Sequence, residues 1–319
     1  MPDRPGNTEK NTQDSAPGST SRLKGLRAIG FAFLYALIFA LAQIIAGMMV
    51  LGYLTTGAIV RAEAAGTLDL TDNYALAEFV TTFVEAQFAP SLSWILLVAC
   101  ILSVLLSWLV VKVRRFNAKK FASLNSTTPL LLAASLLLGI SISLTFNSVL
   151  SLPALEFFHD ETTSAMQAML FVSVLTAIVA STIVPTAEEI IFRGFMLNEL
   201  RRGITLWPAI FLSSIIFGIL HGTGQWAFIA VGIGLVLAWV ALRTRSLYPA
   251  ILAHVGINAT SFAQVWLMSD TPSSFIVPTI AVGAIILIGT AVVISQETQP
   301  LSELEPAPEP TPKETPHED

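Results

Sequence analysis

An all-helical, polytopic transmembrane bundle of about eight spans is the fold class this chain predicts, and three observations carry it. Hydrophobic residues make up 54% of the sequence and charged residues only 12%, against roughly 25% charged in soluble domains. Mean hydropathy is +0.71. The apolar residues gather into runs of about 20, which at 1.5 Å per residue cross about 30 Å of hydrocarbon.

The elements follow in order. Residues 1–22 are polar, rich in Pro, Gly, Ser and Thr with both charge signs, and read as a disordered tail rather than a secretory signal, which would run from a short basic segment into an apolar core. Residues 23–165 form an N-terminal transmembrane region with three spans, near 28–54, 92–113 and 129–151. Between the first two, Leu76, Phe79, Val80, Phe83 and Val84 repeat at helical spacing with Glu78 and Glu85 off that face. This segment is expected to lie on the membrane surface or cap the bundle. Residues 166–295 hold five more spans, near 166–184, 206–220, 226–242, 247–268 and 274–294, with 186–202 continuing the fourth after a kink at Pro185. Residues 296–319 carry seven acidic side chains among prolines and are expected to be a disordered, solvated tail.

Lys and Arg gather at Arg22, Lys24 and Arg27, at 112–120, at Arg201 and Arg202, and at Arg243 and Arg245. These segments belong on the inner side. Segments 57–90 and 152–167 are acidic and belong outside, which puts both termini in the cytoplasm. A multi-pass protein of a prokaryotic plasma membrane is the expected location. The net charge of −5 comes with no clustered basic face of the kind nucleic acid requires. Cys100, the sole cysteine, lies in an apolar span, so neither a disulfide nor a cysteine-rich metal site is available, and it reads as a packing residue. No fixed-period repeat and no inverted pair of interrupted helices is visible.

Ionisable groups at membrane depth are costly unless paired or facing a wet cavity, so they mark a candidate site. Here they are Glu188, Glu189, Arg193, His221 and His254. Glu189 lies four residues before Arg193, the favourable order for an intrahelical ion pair. Glu188, turned by about 100° from its neighbour, has no local counter-charge and is the credible general base. His221 closes an apolar helix and shares a face with Phe217, while Gly218 and Gly222 form a small-residue notch for close helix contact. His254 and Asn258, again four apart, project from one face of a third helix. Counting from Arg201 and Arg245 on the inner side, Glu188 and Asn258 lie at ~20 Å and His254 at ~14 Å, and His221 lies ~22 Å from Leu206. Three helices therefore bring four polar side chains to similar depth.

The succession Glu188-Glu189-x-x-x-Arg193, Phe217-x-x-x-His221 and His254-x-x-x-Asn258 on separate apolar helices resembles the CAAX-protease and bacteriocin-processing family of intramembrane endopeptidases. All three motifs match without departure, and the resemblance covers residues 166–268, roughly a third of the chain. It implies peptide-bond hydrolysis by an all-helical membrane protein. Glu188, helped by His221, would activate a water. His254 and Asn258 would donate to the oxyanion, and Glu189, Arg193 and Phe217 would give structural support. Members are often described as metalloproteases, and two histidines with a glutamate can hold zinc. No His-Glu-x-x-His helix is present, so metal-free catalysis is the favoured expectation, with Glu188, His221 and His254 as the ligands if zinc is used.

The expected partners are a peptide or protein substrate at the membrane and the lipid bilayer. Prenylated C-terminal peptides, leader peptides and membrane-anchored regulators stay open as substrates. Two rival readings are a proton-coupled transporter, since Glu, His and Arg also build relays, and a non-catalytic scaffold or immunity protein on the same fold.

Overall fold

The computed structural model describes residues 17–66, 72–152, 155, 173–222, 224–267 and 273–304. Among them there is no strand. The main helices are α1 (Pro17–Ala65), α2 (Asn73–Val113), the single-turn α3 (Ala118–Phe121) and α4 (Pro129–Leu150), then α5 (Val174–Gly203), α6 (Leu206–Leu220), α7 (Gln225–Thr244), α8 (Leu247–Leu267) and α9 (Ile276–Glu297). Six of these, α1, α2, α4, α5, α7 and α9, are long and apolar enough to cross a membrane, and α6 is a shorter apolar helix. With α6 and α8 counted, every expected span falls on a helix. Residues 166–172, the start of the expected fourth span, lie outside the described residues, as do 1–16, most of 152–167, and 305–319.

The first two helices form a long hairpin. Ala28, Ala32, Ala42, Ala46, Ala58 and Ala62 are buried along α1 and Ala99 on α2. Small side chains let helix backbones approach where lipid offers no hydrophobic drive for association. The amphipathic segment differs from expectation. Residues 76–84 are not a separate surface helix but the first turns of α2, which follows Asp72, whose carboxylate caps the amides of Tyr74 and Ala75, and runs on through Pro90. Its aromatic side meets α1, with Arg61 4.9 Å from the Phe83 ring centroid.

α4 and α8 pack against each other through glycine. A Cβ on Gly139 would lie 1.9 Å from the Ala253 carbonyl oxygen, and one on Gly256 would lie 2.7 Å from that of Leu136. Farther along the same interface Ser143, Asn147, Ser261 and Gln264 form a hydrogen-bonded cluster, with Ser143 and Ser261 hydroxyls 2.7 Å apart and Asn147 donating to Gln264 at 2.9 Å. Gly218 likewise admits α7, since its Cβ would meet Val231 at 2.4 Å and the Ala227 carbonyl at 2.6 Å. The expected partner in that notch, Gly222, has nothing within 4 Å. With φ of 122° it serves the turn that ends α6, a conformation glycine adopts without strain.

At the basic end, Arg114 grips Glu199 with two hydrogen bonds of 2.6 and 2.9 Å, lies 3.5 Å from the Phe31 ring centroid, and so ties the end of α2 to α5 and α1. The Asn198 amide donates to the Phe121 carbonyl at 2.8 Å. The acidic tail is ordered in its first part. Arg243 donates to Thr298 Oγ1 at 2.9 Å, Arg245 reaches the Gln299 side chain and the Glu303 carbonyl, and Leu301 and Leu304 pack against the main core.

Candidate active site

α5 carries the paired carboxylates, and its backbone is irregular on both sides of them. Val179–Ile183 and Ile190–Met196 are π-helical, with the regular stretch Val184–Glu189 between. π turns inside α-helices often occur at functional sites. The first has a cause in the sequence. Pro185 has no amide hydrogen and cannot continue the α ladder, and the kink expected there is absorbed by one wide turn, in which the Val184 amide bonds the Val179 carbonyl. Hydroxyls cover the neighbouring carbonyls: Thr182 donates to Ile178 at 2.6 Å and Thr186 to Thr182 at 2.7 Å. Such side-chain and π adjustments are how a proline is tolerated inside a membrane helix. For the second π stretch the structure offers no comparable cause.

Glu188, His221 and His254, three of the four polar side chains expected at similar depth, come together, with Glu189 and Arg193 beside them. Glu188 is 5% exposed, Glu189 0%, Arg193 3% and His254 3%. Glu189 Oε1 accepts from Arg193 at 2.8 Å, the expected i,i+4 pair. The same oxygen accepts from His254 Nδ1 at 2.9 Å. A carboxylate can only accept, so Nδ1 of His254 carries the hydrogen and Nε2 is turned inward. His221 is fixed by the same logic, because its Nδ1 donates to the Phe217 carbonyl at 2.8 Å. Its Nε2 lies 3.6 Å from Glu188 Oε1, and His254 Nε2 lies 3.7 Å from Glu188 Oε2. Both imidazoles are thus anchored through Nδ1 and present Nε2 to one carboxylate.

Phe217 is the hub of this arrangement. Its ring centroid lies 4.2 Å from that of His221, 5.9 Å from that of His254 and 4.3 Å from the Arg193 guanidinium. Arg193 also donates to the Gly234 carbonyl of α7 at 3.3 Å. Asn258 stands apart from this cluster in one respect: its Nδ2 donates to the Ala180 carbonyl of α5 at 3.2 Å. The tie between Glu189 and His254 and that between Asn258 and Ala180 link different helices. No spacing within one helix signals them, and both escaped the sequence reading. His221 is the most open member, with its side chain 30% accessible.

The comparisons with known proteins fall on this same segment. Residues 169–260 match the family model described as Type II CAAX prenyl endopeptidase Rce1-like. That segment is similar to the Rce1-like family. It spans α5 to α8 and contains every residue of the cluster. A Bacillus subtilis (strain 168) protein named "Putative membrane peptidase YdiL" is 31% identical over 100 residues, 31% of this chain and 41% of the relative. The chain therefore matches about two fifths of that relative's length. No solved structure matches.

Proposed function

We propose that the chain is an intramembrane endopeptidase that hydrolyses a peptide bond of a membrane-associated substrate with a water activated by Glu188. The observation that carries this reading is the convergence of two Nδ1-anchored imidazoles on a single buried carboxylate.

Glu188 Oε1 and His221 Nε2, 3.6 Å apart, are both acceptors and close enough for one water to donate to each at ~2.8 Å. A water held this way turns a lone pair outward to the substrate carbonyl. Glu188 takes a proton as the oxygen–carbon bond forms, then passes it to the nitrogen as the carbon–nitrogen bond breaks, leaving a carboxylic acid and an amine. The developing oxyanion needs a donor. His254 supplies one as the imidazolium, which Glu189 stabilises at Nδ1 while Nε2–H faces the reacting centre. Arg193 offsets the second carboxylate. The names of the matching family and relative support the peptidase reading, and a prenylated peptide is the substrate class that the family's name suggests. A location in a prokaryotic plasma membrane, with the basic ends of the helices inside, fits the Lys and Arg distribution.

Zinc is the second reading. Two inward Nε2 atoms beside a carboxylate, with Glu189 and the Phe217 carbonyl behind the rings, form a donor set with the outer hydrogen bonds that metal-bound histidines use. Glu188, His221 and His254 would hold the ion, and it would supply Lewis acidity.

The test is hydrolysis of a panel of quenched peptides by purified protein, wild type beside Glu188→Gln and His221→Ala, with metal content measured and chelator added. Glu188→Gln should lose at least ~10³-fold and His221→Ala ~10²-fold. Full activity in Glu188→Gln would remove the base. Stoichiometric zinc with chelator-sensitive turnover would replace the metal-free mechanism, and Glu188-dependent solute uptake into vesicles would replace the peptidase with a carrier.

A further inference from the structure

A proline creates a second deficit two turns before the site, and a side chain from another helix fills it. In the π turn of α5 the Val184 amide reaches back five residues to the Val179 carbonyl. The next carbonyl, that of Ala180, would in α register take the Val184 amide, which is already engaged. In π register it would take the amide of residue 185. Residue 185 is Pro and has no hydrogen to give. The Ala180 carbonyl is thus left without a backbone donor by either pattern, at a depth where an unmade hydrogen bond is costly. Asn258 Nδ2 stands 3.2 Å away and donates to it.

We propose that Asn258 is a positioning residue that substitutes for the amide hydrogen Pro185 lacks, and by doing so locks α8 to the turn that presents Glu188. The lock joins the two helices whose spacing matters. Pro185 precedes Glu188 by three residues, and Asn258 lies one turn from His254 on the same face of α8. The bond therefore sets the 3.7 Å separation of His254 Nε2 from Glu188. The carbonyls two residues to either side, those of Ile178 and Thr182, accept from hydroxyls of α5 itself, Thr182 and Thr186. The Ala180 carbonyl is served from across the interface. Phe262 on α8 packs with Ala177 and Ala180 at this crossing, beside the half-buried Asn258. Its effect on rate rests on the peptidase reading; its effect on helix pairing does not.

Restoring the missing hydrogen in the backbone separates this role from direct contact with substrate. Asn258→Leu should lower the midpoint of thermal unfolding in detergent by several degrees and lower kcat roughly 10- to 100-fold, because small misplacements of reacting groups are expensive. KM should change little. Pro185→Ala gives residue 185 an amide, so the double variant Pro185→Ala/Asn258→Leu should recover most of both losses. The unfolding midpoint needs no substrate and decides the lock even for a chain without peptidase activity. If Asn258→Leu cannot be purified, recovery of folded protein on adding Pro185→Ala supports the lock, and failure in both backgrounds overturns it. An unchanged midpoint, or a loss of kcat that Pro185→Ala leaves untouched, overturns it and makes Asn258 a direct oxyanion donor.

Discussion

Glu189 does two jobs with one oxygen, and they can be separated. Oε1 holds Arg193 at 2.8 Å and His254 at 2.9 Å, and all three groups are buried. Glu189→Gln should leave Arg193 uncompensated at a cost of about 3–5 kcal/mol, and should free His254 to rotate, lowering kcat roughly 10- to 100-fold as loss of an outer hydrogen-bond partner does. Adding Arg193→Leu removes the stranded charge. The double variant should regain much of the unfolding midpoint while kcat stays low, and recovery of both together would mean that Glu189 acts on stability alone. The pair Glu189 and Arg193 was legible because an i,i+4 spacing is a local rule. The bond from Glu189 to His254 was not, since it joins residues 65 apart in sequence. The convergence itself could be anticipated from depth along three helices, but not the anchoring of each ring. For His221 the anchor is the backbone carbonyl of Phe217, which no side-chain pattern encodes.

Among the helices, close approach is set by a few glycines. The Cβ of Gly139→Ala would stand 1.9 Å from the Ala253 carbonyl, next to His254, and that of Gly256→Ala 2.7 Å from Leu136. Either change should drive α4 and α8 apart, costing about 1–3 kcal/mol or more as overpacking does, and should reduce turnover because α8 carries His254. Gly47→Ala is the control: nothing lies within 4 Å of its Cβ, so neither unfolding midpoint nor turnover should fall. Wild-type behaviour of Gly139→Ala would show the interface to be looser than described. Span existence was readable from hydropathy, which reports burial in lipid directly. Element limits were less so. The joining of 73–90 to the second span depends on α1 offering a partner over that length, and the wide turns of α5 depend on hydrogen-bond register, which composition does not record beyond the presence of Pro185. Gly222 was read as packing when its positive φ makes it a turn, because a glycine four residues after another has the same spacing in either role.

Across the whole molecule, the basic end is where the pieces are tied together. Arg114 joins α2 to Glu199 of α5, and Arg243 and Arg245 hold the chain just after α9. Deleting residues 305–319 should leave thermal stability unchanged, whereas deleting 298–319 should lower it by a few degrees as Arg243 and Arg245 lose partners and Leu301 and Leu304 leave the core. Equal midpoints for the two truncations would mean that this docking contributes nothing. The expectation of a wholly disordered acidic tail missed this, because its two leucines are sparse and the arginines that receive it sit more than 50 residues earlier. The pairing of carboxylates with Arg193 and His254 has an electrical corollary. Two anions face two cations when the imidazole is protonated, and the proton that Glu188 takes from water is handed to the leaving amine within the same site, so the sum returns to zero. In the proposed cycle no charge travels from one side of the bilayer to the other. A carrier moving one proton across feels about 2.3 kcal/mol per 100 mV, so in sealed vesicles clamped by a potassium gradient peptide cleavage should run at the same rate whatever the imposed voltage, and a rate that tracked the voltage would mark the protein as a transducer instead.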